Sequence, residues 1–275
     1  VQTLPCDSST GLRALVFLSE ICCMLLRRSA PVILLLLLFL SACAEKLSYL
    51  GGGHTRIEQG LPSDSASEQL IRPYRNLLEK EMSEVLAFND SLMKSGRPEG
   101  RLGNLLADVV YQRALRFMLD SFGFPLHACL LNNGGIRAPL PAGNVTLGQV
   151  FSIMPFENEI VVLKLKGEQV SKMLDYIASR KGEPVSKMSL LLNKEGGWIE
   201  ASLGGKPFDS RRSYFIATSD YLANGGDKMD FFRNPEAVFP LRIKIREVFA
   251  DYLRNLGAAG QKVPQPQMGR IDYAQ

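Results

Sequence analysis

Two short segments carry the residues best suited to grasp a polar ligand. Asn132-Asn133-Gly134-Gly135-Ile136-Arg137 leaves the apolar run Ala128-Cys129-Leu130-Leu131, and Asp220-Tyr221-Leu222-Ala223-Asn224-Gly225-Gly226-Asp227 follows the run from Tyr214 to Ser219. Paired glycines let a backbone approach a ligand closely. Arg137 offers a rigid donor fork for phosphate, carboxylate or ribose oxygens, and Asp227 can accept from ribose hydroxyls. Between the segments lies Pro155-Phe156. Phe156 and Tyr221 together could clamp a flat base, each stack worth roughly 1–3 kcal/mol. On that reading the ring of Tyr221 stacks and its hydroxyl is dispensable. Taken singly, each motif also has a plainer reading: a tight turn whose arginine makes a surface ion pair, an aromatic in the core, a simple glycine turn.

The elements that must position these residues follow from periodicity. Residues 73–86 place Leu77, Leu78, Met82, Val85 and Leu86 on one helical face, with Pro73 tolerable at the first turn. A stronger helix is expected over 103–122, its stripe formed by Leu102, Leu105, Leu106, Val109, Val110 and Phe117, and Gly123 ends it. Residues 127–131 read as a strand. Thr146 and Gln149 fit a capping box for a short helix that stops before Pro155. A strand over 160–166 turns at Gly167 into a helix over 168–179. Strands follow over 189–193, 198–203 and 213–219, with hairpin turns at Gly196-Gly197 and Gly204-Gly205. A last helix is expected over 241–256, capped by Gly257. The irregular alternation of helices and hairpin-linked strands gives an α+β fold, a mixed β-sheet with packed helices.

The chain of 275 residues suits one domain of roughly 200 residues behind a processed leader. A net charge of +4, with no basic stripe interleaved with aromatics, gives no footprint for nucleic acid. Met24-Leu25-Leu26-Arg27-Arg28, the aliphatic run from Pro31 to Leu40 and Leu40-Ser41-Ala42-Cys43 have the layout of a secretory signal peptide. The last four residues resemble a bacterial lipobox, with Cys43 as the lipidated first residue of the mature protein and Met24 as the expected start. The alternative is a transmembrane helix, but the uninterrupted run falls short of the roughly 20 residues needed. Residues 1–43 are thus read as leader, 44–67 as a glycine- and serine-bearing tether and 68–275 as the folded domain, held by a lipid anchor at the bacterial cell envelope on its periplasmic or outer-surface face. Only Cys129 among the five cysteines falls in the folded part, where it reads as a small buried hydrophobe. The two histidines, His54 in the tether and His127 at a strand start, have no second metal ligand at a useful spacing.

With the stretch Pro98-Glu99-Gly100-Arg101-Leu102-Gly103-Asn104 at one end and Gly269-Arg270-Ile271 at the other, the motifs above resemble the carboxy-terminal domain of the 5'-nucleotidase and UDP-sugar hydrolase family in order and approximate spacing. That domain holds the nucleoside of the substrate. The resemblance implies polar substrate contacts at Asn132 and Arg137, a base-stacking pair at Phe156 and Tyr221, and a ribose acceptor at Asp227. Gly135, Asn224 and Gly225, in the same motifs, complete the expected substrate-binding set. Tyr221 stands where phenylalanine is frequent. Pro98 stands where many members have an arginine before the glutamate, which leaves Arg97 and Arg101 as candidates for its part. Hydrolysis in this family implies a two-metal centre built from Asp, His and Asn ligands, and no motif of that kind occurs here. The expectation is therefore a nucleoside- or nucleotide-binding domain without catalytic residues, metal or cofactor of its own. Its divalent metal would sit on a partner metallophosphatase chain. The alternative is a stand-alone nucleotide- or nucleoside-binding lipoprotein without hydrolytic activity.

Overall fold

Local sequence rules account for most of the elements in the computed structural model, which describes residues 64–274. Helix α1 spans Ser65–Met82, and strand β1 follows at Val85–Asn89. Here the structure departs from the expected helix over 73–86. Asp64 caps the helix well before that range by accepting from the Ser67 amide at 3.0 Å, so Pro73 lies inside it. Leu86 and Ala87 are buried in a strand instead of ending a helix. The stripe of α1 is not buried at all: Leu70, Ile71, Tyr74, Leu77 and Leu78 are all exposed.

Helix α2 (Arg101–Phe122) buries Leu102, Leu105, Leu106, Val109, Val110, Ala114 and Met118, one face at helical spacing. It ends at Gly123 in the left-handed conformation (φ 69°). Strand β2 (Ala128–Leu130) leads to a 3₁₀ turn at Asn133–Gly135. Strand β3 (Gly143–Thr146) runs into α3 (Leu147–Ile153), whose capping box is present in both directions between Thr146 and Gln149. Then come β4 (Glu159–Lys166), α4 (Gly167–Ser179), β5 (Val185–Ser186), β6 (Met188–Leu192), β7 (Trp198–Leu203), β8 (Lys206–Pro207) and β9 (Ser213–Ser219). A single-turn helix α5 (Asp220–Ala223), strand β10 (Ala237–Lys244), helix α6 (Ile245–Ala258) and strand β11 (Ile271–Tyr273) complete the order. The last helix therefore begins at Ile245 and not at Leu241, because Leu241 and its neighbours belong to an edge strand that pairs with β4. Gly257 does not cap it. Gly257 lies inside the helix, where a Cβ would come within 2.0 Å of the Leu86 carbonyl oxygen.

The central sheet has five strands in the order β10-β4-β9-β2-β5, antiparallel except for the β2–β9 pair. Alternating side chains of β4 reach opposite faces: Ile160 and Val162 join a core with α2 and α6, while Val161, Leu163 and Leu165 join a second core with α4. Burial on both faces explains why this strand reads as a continuous apolar run. A four-stranded sheet, β11-β6-β7-β8, closes the second core, and β1 pairs with β3. Among the described residues no helix is long and apolar enough to cross a membrane.

Candidate functional site

Sheet topology brings three distant loops to one edge. Strands β2 and β9 are parallel neighbours, so their C-terminal ends point the same way. Strand β4 runs antiparallel to β9, with Ile160 opposite Ser219, so its start lies at that same edge. The loops at 131–137, 154–158 and 220–228 therefore emerge together. They enclose a cleft of about 320 Å³ lined by Asn132, Gly135, Arg137, Phe156, Tyr221 and Asp227, together with Gly134 and Asn158. A narrow recess behind Phe156, floored by Leu131, Ile136, Met154 and Ile245, continues from it.

The two charged residues are held differently. The Asp227 carboxylate accepts from the Asn132 side-chain amide and, at 3.0 Å, from the Tyr221 hydroxyl. The Tyr221 oxygen in turn accepts from the Asp227 backbone amide at 3.2 Å. Asp227 sits in the left-handed region (φ 52°), which a short polar residue tolerates. A carboxylate offers about four lone-pair sites, so acceptor capacity remains for a ligand. Arg137 is exposed. Its guanidinium makes one bond of 3.3 Å to the Gly134 carbonyl, and no carboxylate pairs with it among the described residues.

Both aromatics stay half open, Phe156 at 48% and Tyr221 at 46% exposure. Glycine leaves room for this layout at two places. A Cβ on Gly226 would lie 2.5 Å from the Tyr221 ring, and one on Gly135 would lie 2.9 Å from the Asn132 side-chain oxygen. The chain on either side of Phe156 is held by Arg246, which stacks 4.0 Å over the Phe151 ring and donates to the Pro155 carbonyl at 3.2 Å and to Glu157.

The model of the 5'-nucleotidase C-terminal domain family matches residues 81–234. The chain belongs to this family. Among similar proteins is the trifunctional nucleotide phosphoesterase protein YfkN of Bacillus subtilis, 27% identical over 78% of this chain and 16% of its own. Human 5'-nucleotidase is 23% identical over 66% of this chain and 36% of its own. The chain thus spans little more than a third, or less, of these two relatives. A 5'-nucleotidase precursor from Thermus thermophilus shares the fold, with a TM-score of 0.63 at 24% identity over 78% of this chain and 44% of that one. So does the sulfate thiohydrolase SoxB from the same organism, with a TM-score of 0.54 at 18% identity, covering 78% of this chain and 39% of that one. The fold alone therefore does not select a substrate.

Within this 5'-nucleotidase C-terminal domain, Asn224 and Gly225 stand apart from the other expected residues. Neither lines the cleft. The Asn224 amide donates to the Asp220 carbonyl at 2.8 Å, and Gly225 supplies a left-handed turn residue (φ 88°) packed against Arg233. They shape the turn that presents Asp227. The Tyr221 hydroxyl, expected to be dispensable, holds Asp227 at two points. Gly134 and Asn158 are absent from the expected set; Asn158 carries no recognisable motif, and it reaches the cleft because it immediately precedes β4.

Neither arginine of the loop at 97–101 reaches the cleft. Arg97 bonds the Gly182 carbonyl and Glu183, and Arg101 bonds Gln265 at 3.2 Å. Glu99 instead accepts from the amides of Gly269 and Arg270 and from Asn104, fastening the C-terminal strand. Half-buried His127 stands at the start of β2, the end far from the cleft. Its Nδ1 accepts from the Phe215 amide at 3.0 Å, and burial, aided by the Arg212 and Lys206 charges, lowers its pKa. Cys129 is fully buried, and burial drives its thiol pKa well up, out of the reactive range. No group of three or more His, Cys, Asp or Glu able to hold a metal occurs among the described residues. Cys43 and His54 lie outside the described residues.

Proposed function

We propose that this domain binds the nucleoside of a nucleotide for a 5'-nucleotidase active in nucleotide catabolism, the metal-bearing half being supplied by a separate metallophosphatase chain. The observation that carries this reading is the cleft itself: two half-exposed rings on separate loops, with an arginine that no carboxylate pairs with among the described residues and a carboxylate that keeps free acceptor sites. A base stacks between Phe156 and Tyr221, and Asp227 accepts from the ribose hydroxyls. Arg137 takes the phosphate, whose other face is left to the metal-bearing half. Two relatives, a nucleotide phosphoesterase and a 5'-nucleotidase, support this substrate class.

A lipid on Cys43 would hold the domain at the bacterial envelope, with two or more acyl chains needed for stable anchoring. Mass spectrometry of the mature chain tests that part: an unmodified Cys43 ends it. The absence of a metal cluster among the described residues also favours a second reading, a nucleoside-binding lipoprotein that captures without hydrolysing. A phosphatase assay with nucleoside monophosphates and added divalent metal separates the readings. We expect binding but no turnover by the chain alone, and turnover once a metallophosphatase chain is added. Turnover by the purified chain alone would overturn the split enzyme, binding without turnover under all conditions would leave the capture reading, and no binding would end both.

A further inference from the structure

Two residues outside the cleft touch both of its halves from behind. Tyr176, near the end of α4, donates from its hydroxyl to the Asp227 carbonyl at 2.9 Å. Glu183, in the segment just after α4, is 1% exposed. One of its carboxylate oxygens accepts from the Asn133 backbone amide at 2.7 Å and from the Asn133 side-chain amide at 2.9 Å. The other meets Arg97 at 2.6 Å and Arg180 at 3.6 Å. The same segment continues the support: the Pro184 carbonyl accepts from the Leu131 amide at 2.9 Å.

These contacts form one strut. The turn after α4 is bonded to the helix, through Lys181 to Ala178 and Gly182 to Ile177, which ties the segment of Glu183 to the helix of Tyr176. One end grips the segment that begins with Asn132, the other the turn that ends in Asp227. A buried ion pair is a weak source of stability, and apolar residues in its place are often as good. Fold stability therefore gives a poor account of Glu183, while its two bonds to Asn133 give a direct one.

We propose that Tyr176 and Glu183 are positioning residues, a clip at the end of α4 that sets the spacing between the Asn132 loop and the Asp227 turn before ligand arrives. The proposal rests on the nucleoside reading of the cleft for its purpose, but the clip itself can be seen without ligand. Tyr176 acts on the carbonyl of the residue whose carboxylate faces the ribose, so its loss should be felt by the sugar more than by the base.

The test uses the full chain carrying Tyr176→Phe or Glu183→Gln. Titration calorimetry compares adenosine with 2',3'-dideoxyadenosine, and hydrogen–deuterium exchange follows residues 132–137 and 220–228. For Tyr176→Phe we expect adenosine affinity to fall about fivefold, the loss of one hydrogen bond, with the dideoxy ligand changed less than about twofold and faster exchange in 220–228. For Glu183→Gln we expect faster exchange in 132–137. Equal weakening of both nucleosides, or unchanged exchange in both loops, would overturn the clip. Faster exchange in a chain whose wild type binds neither nucleoside would support the clip and refute the nucleoside reading. Should Glu183→Gln fail to fold, Tyr176→Phe, which keeps its packing, decides the matter alone.

Discussion

The two glycine loops that face each other across the cleft are built on opposite plans. Residues 132–137 are held by backbone: the Gly135 amide donates to the Asn132 carbonyl, the Ile136 amide to the Asn133 carbonyl and the Arg137 amide to the Ile153 carbonyl. The charged side chain of that loop is left loose. In 220–227 side chains hold the turn: Tyr221 binds Asp227 twice, Asn224 binds Asp220, and the Asp220 carboxylate accepts from the amides of Tyr221 and Glu159. In the first loop the charged group, Arg137, is separate from the bonds that support the backbone. In the second, the groups offered to the ligand also hold the loop. A substitution at Tyr221 or Asp227 should therefore cost both contact and shape, and one at Arg137 only contact.

The largest expected effect is Gly226→Ala. A Cβ there meets two ring carbons of Tyr221 at 2.5 Å and its carbonyl oxygen at 2.6 Å, so ring and backbone must both shift. We expect adenosine binding to weaken by at least the roughly 1–3 kcal/mol of a lost stack. Gly134→Ala in the other loop meets only side-chain atoms at 3.3 Å and should cost clearly less. Equal losses by calorimetry would erase the contrast between the loops. Next is Phe156→Ala, which removes a half-exposed ring on the third loop and should cost about 1–3 kcal/mol for any base without altering the exchange of the other two loops. Arg137→Ala sharpens the comparison from the other side. Because the guanidinium supports nothing beyond a 3.3 Å bond, adenosine should bind as before while adenosine monophosphate loses about 1–2 kcal/mol. If adenosine weakens equally, Arg137 is part of the frame and the comparison fails. For Tyr221→Phe, a ring-only role would leave binding unchanged. The two hydroxyl bonds to Asp227 instead imply a loss of about 1 kcal/mol, confined to ligands with ribose hydroxyls.

What could be read in the sequence follows the same division between local and distant causes. Thr146 and Gln149, the stripe of α2 and the unbroken apolar run of β4 each act within a few residues, and each is present in the structure. Strands β1, β3 and β10 are edge elements whose character depends on a partner elsewhere, so the start of β1 and the end of β10 read as helix. Helix α1 shows the limit of periodicity. Leu70, Tyr74, Leu77 and Leu78 share a face as well spaced as that of α4, yet only α4 finds a core, since spacing names a face and not its cover. At the site, Asn132, Phe156 and Asp227 are marked by their motifs. Asn224 and Gly225 carry the same mark but serve the turn, because a tight turn must use some of its residues to hold itself. Asn158, Tyr176, Glu183 and Arg246 have no local mark at all; strand order and helix packing alone bring them to the cleft or behind it.

The smallest effect tests whether the two loops are insulated from the far end of the strands that carry them. His127 joins the same two strands there: its amide donates to the Phe215 carbonyl at 2.9 Å, and its Nδ1 accepts from the Phe215 amide. That second bond requires a neutral ring nitrogen, and burial first, then the charges of Arg212 and Lys206, lower its folded pKa below the ordinary 6.5. The sign follows from linkage. The unfolded chain takes up the proton more readily, so the stabilisation is fully present above pH 6.5 and is lost as the pH falls through the lowered folded value. Thermal melts should therefore show a modest acid loss in that window for the wild type. The loss should be absent in His127→Gln, whose amide oxygen can still accept from Phe215 and does not titrate. Adenosine affinity, measured over the same window, should stay flat, because the Asn132 and Asp227 loops are anchored by Glu183, Ile153 and Tyr221 at the other edge of the sheet. An affinity that follows the His127 titration would show the two loops responding together through β2 and β9, and their separate plans would then count for little.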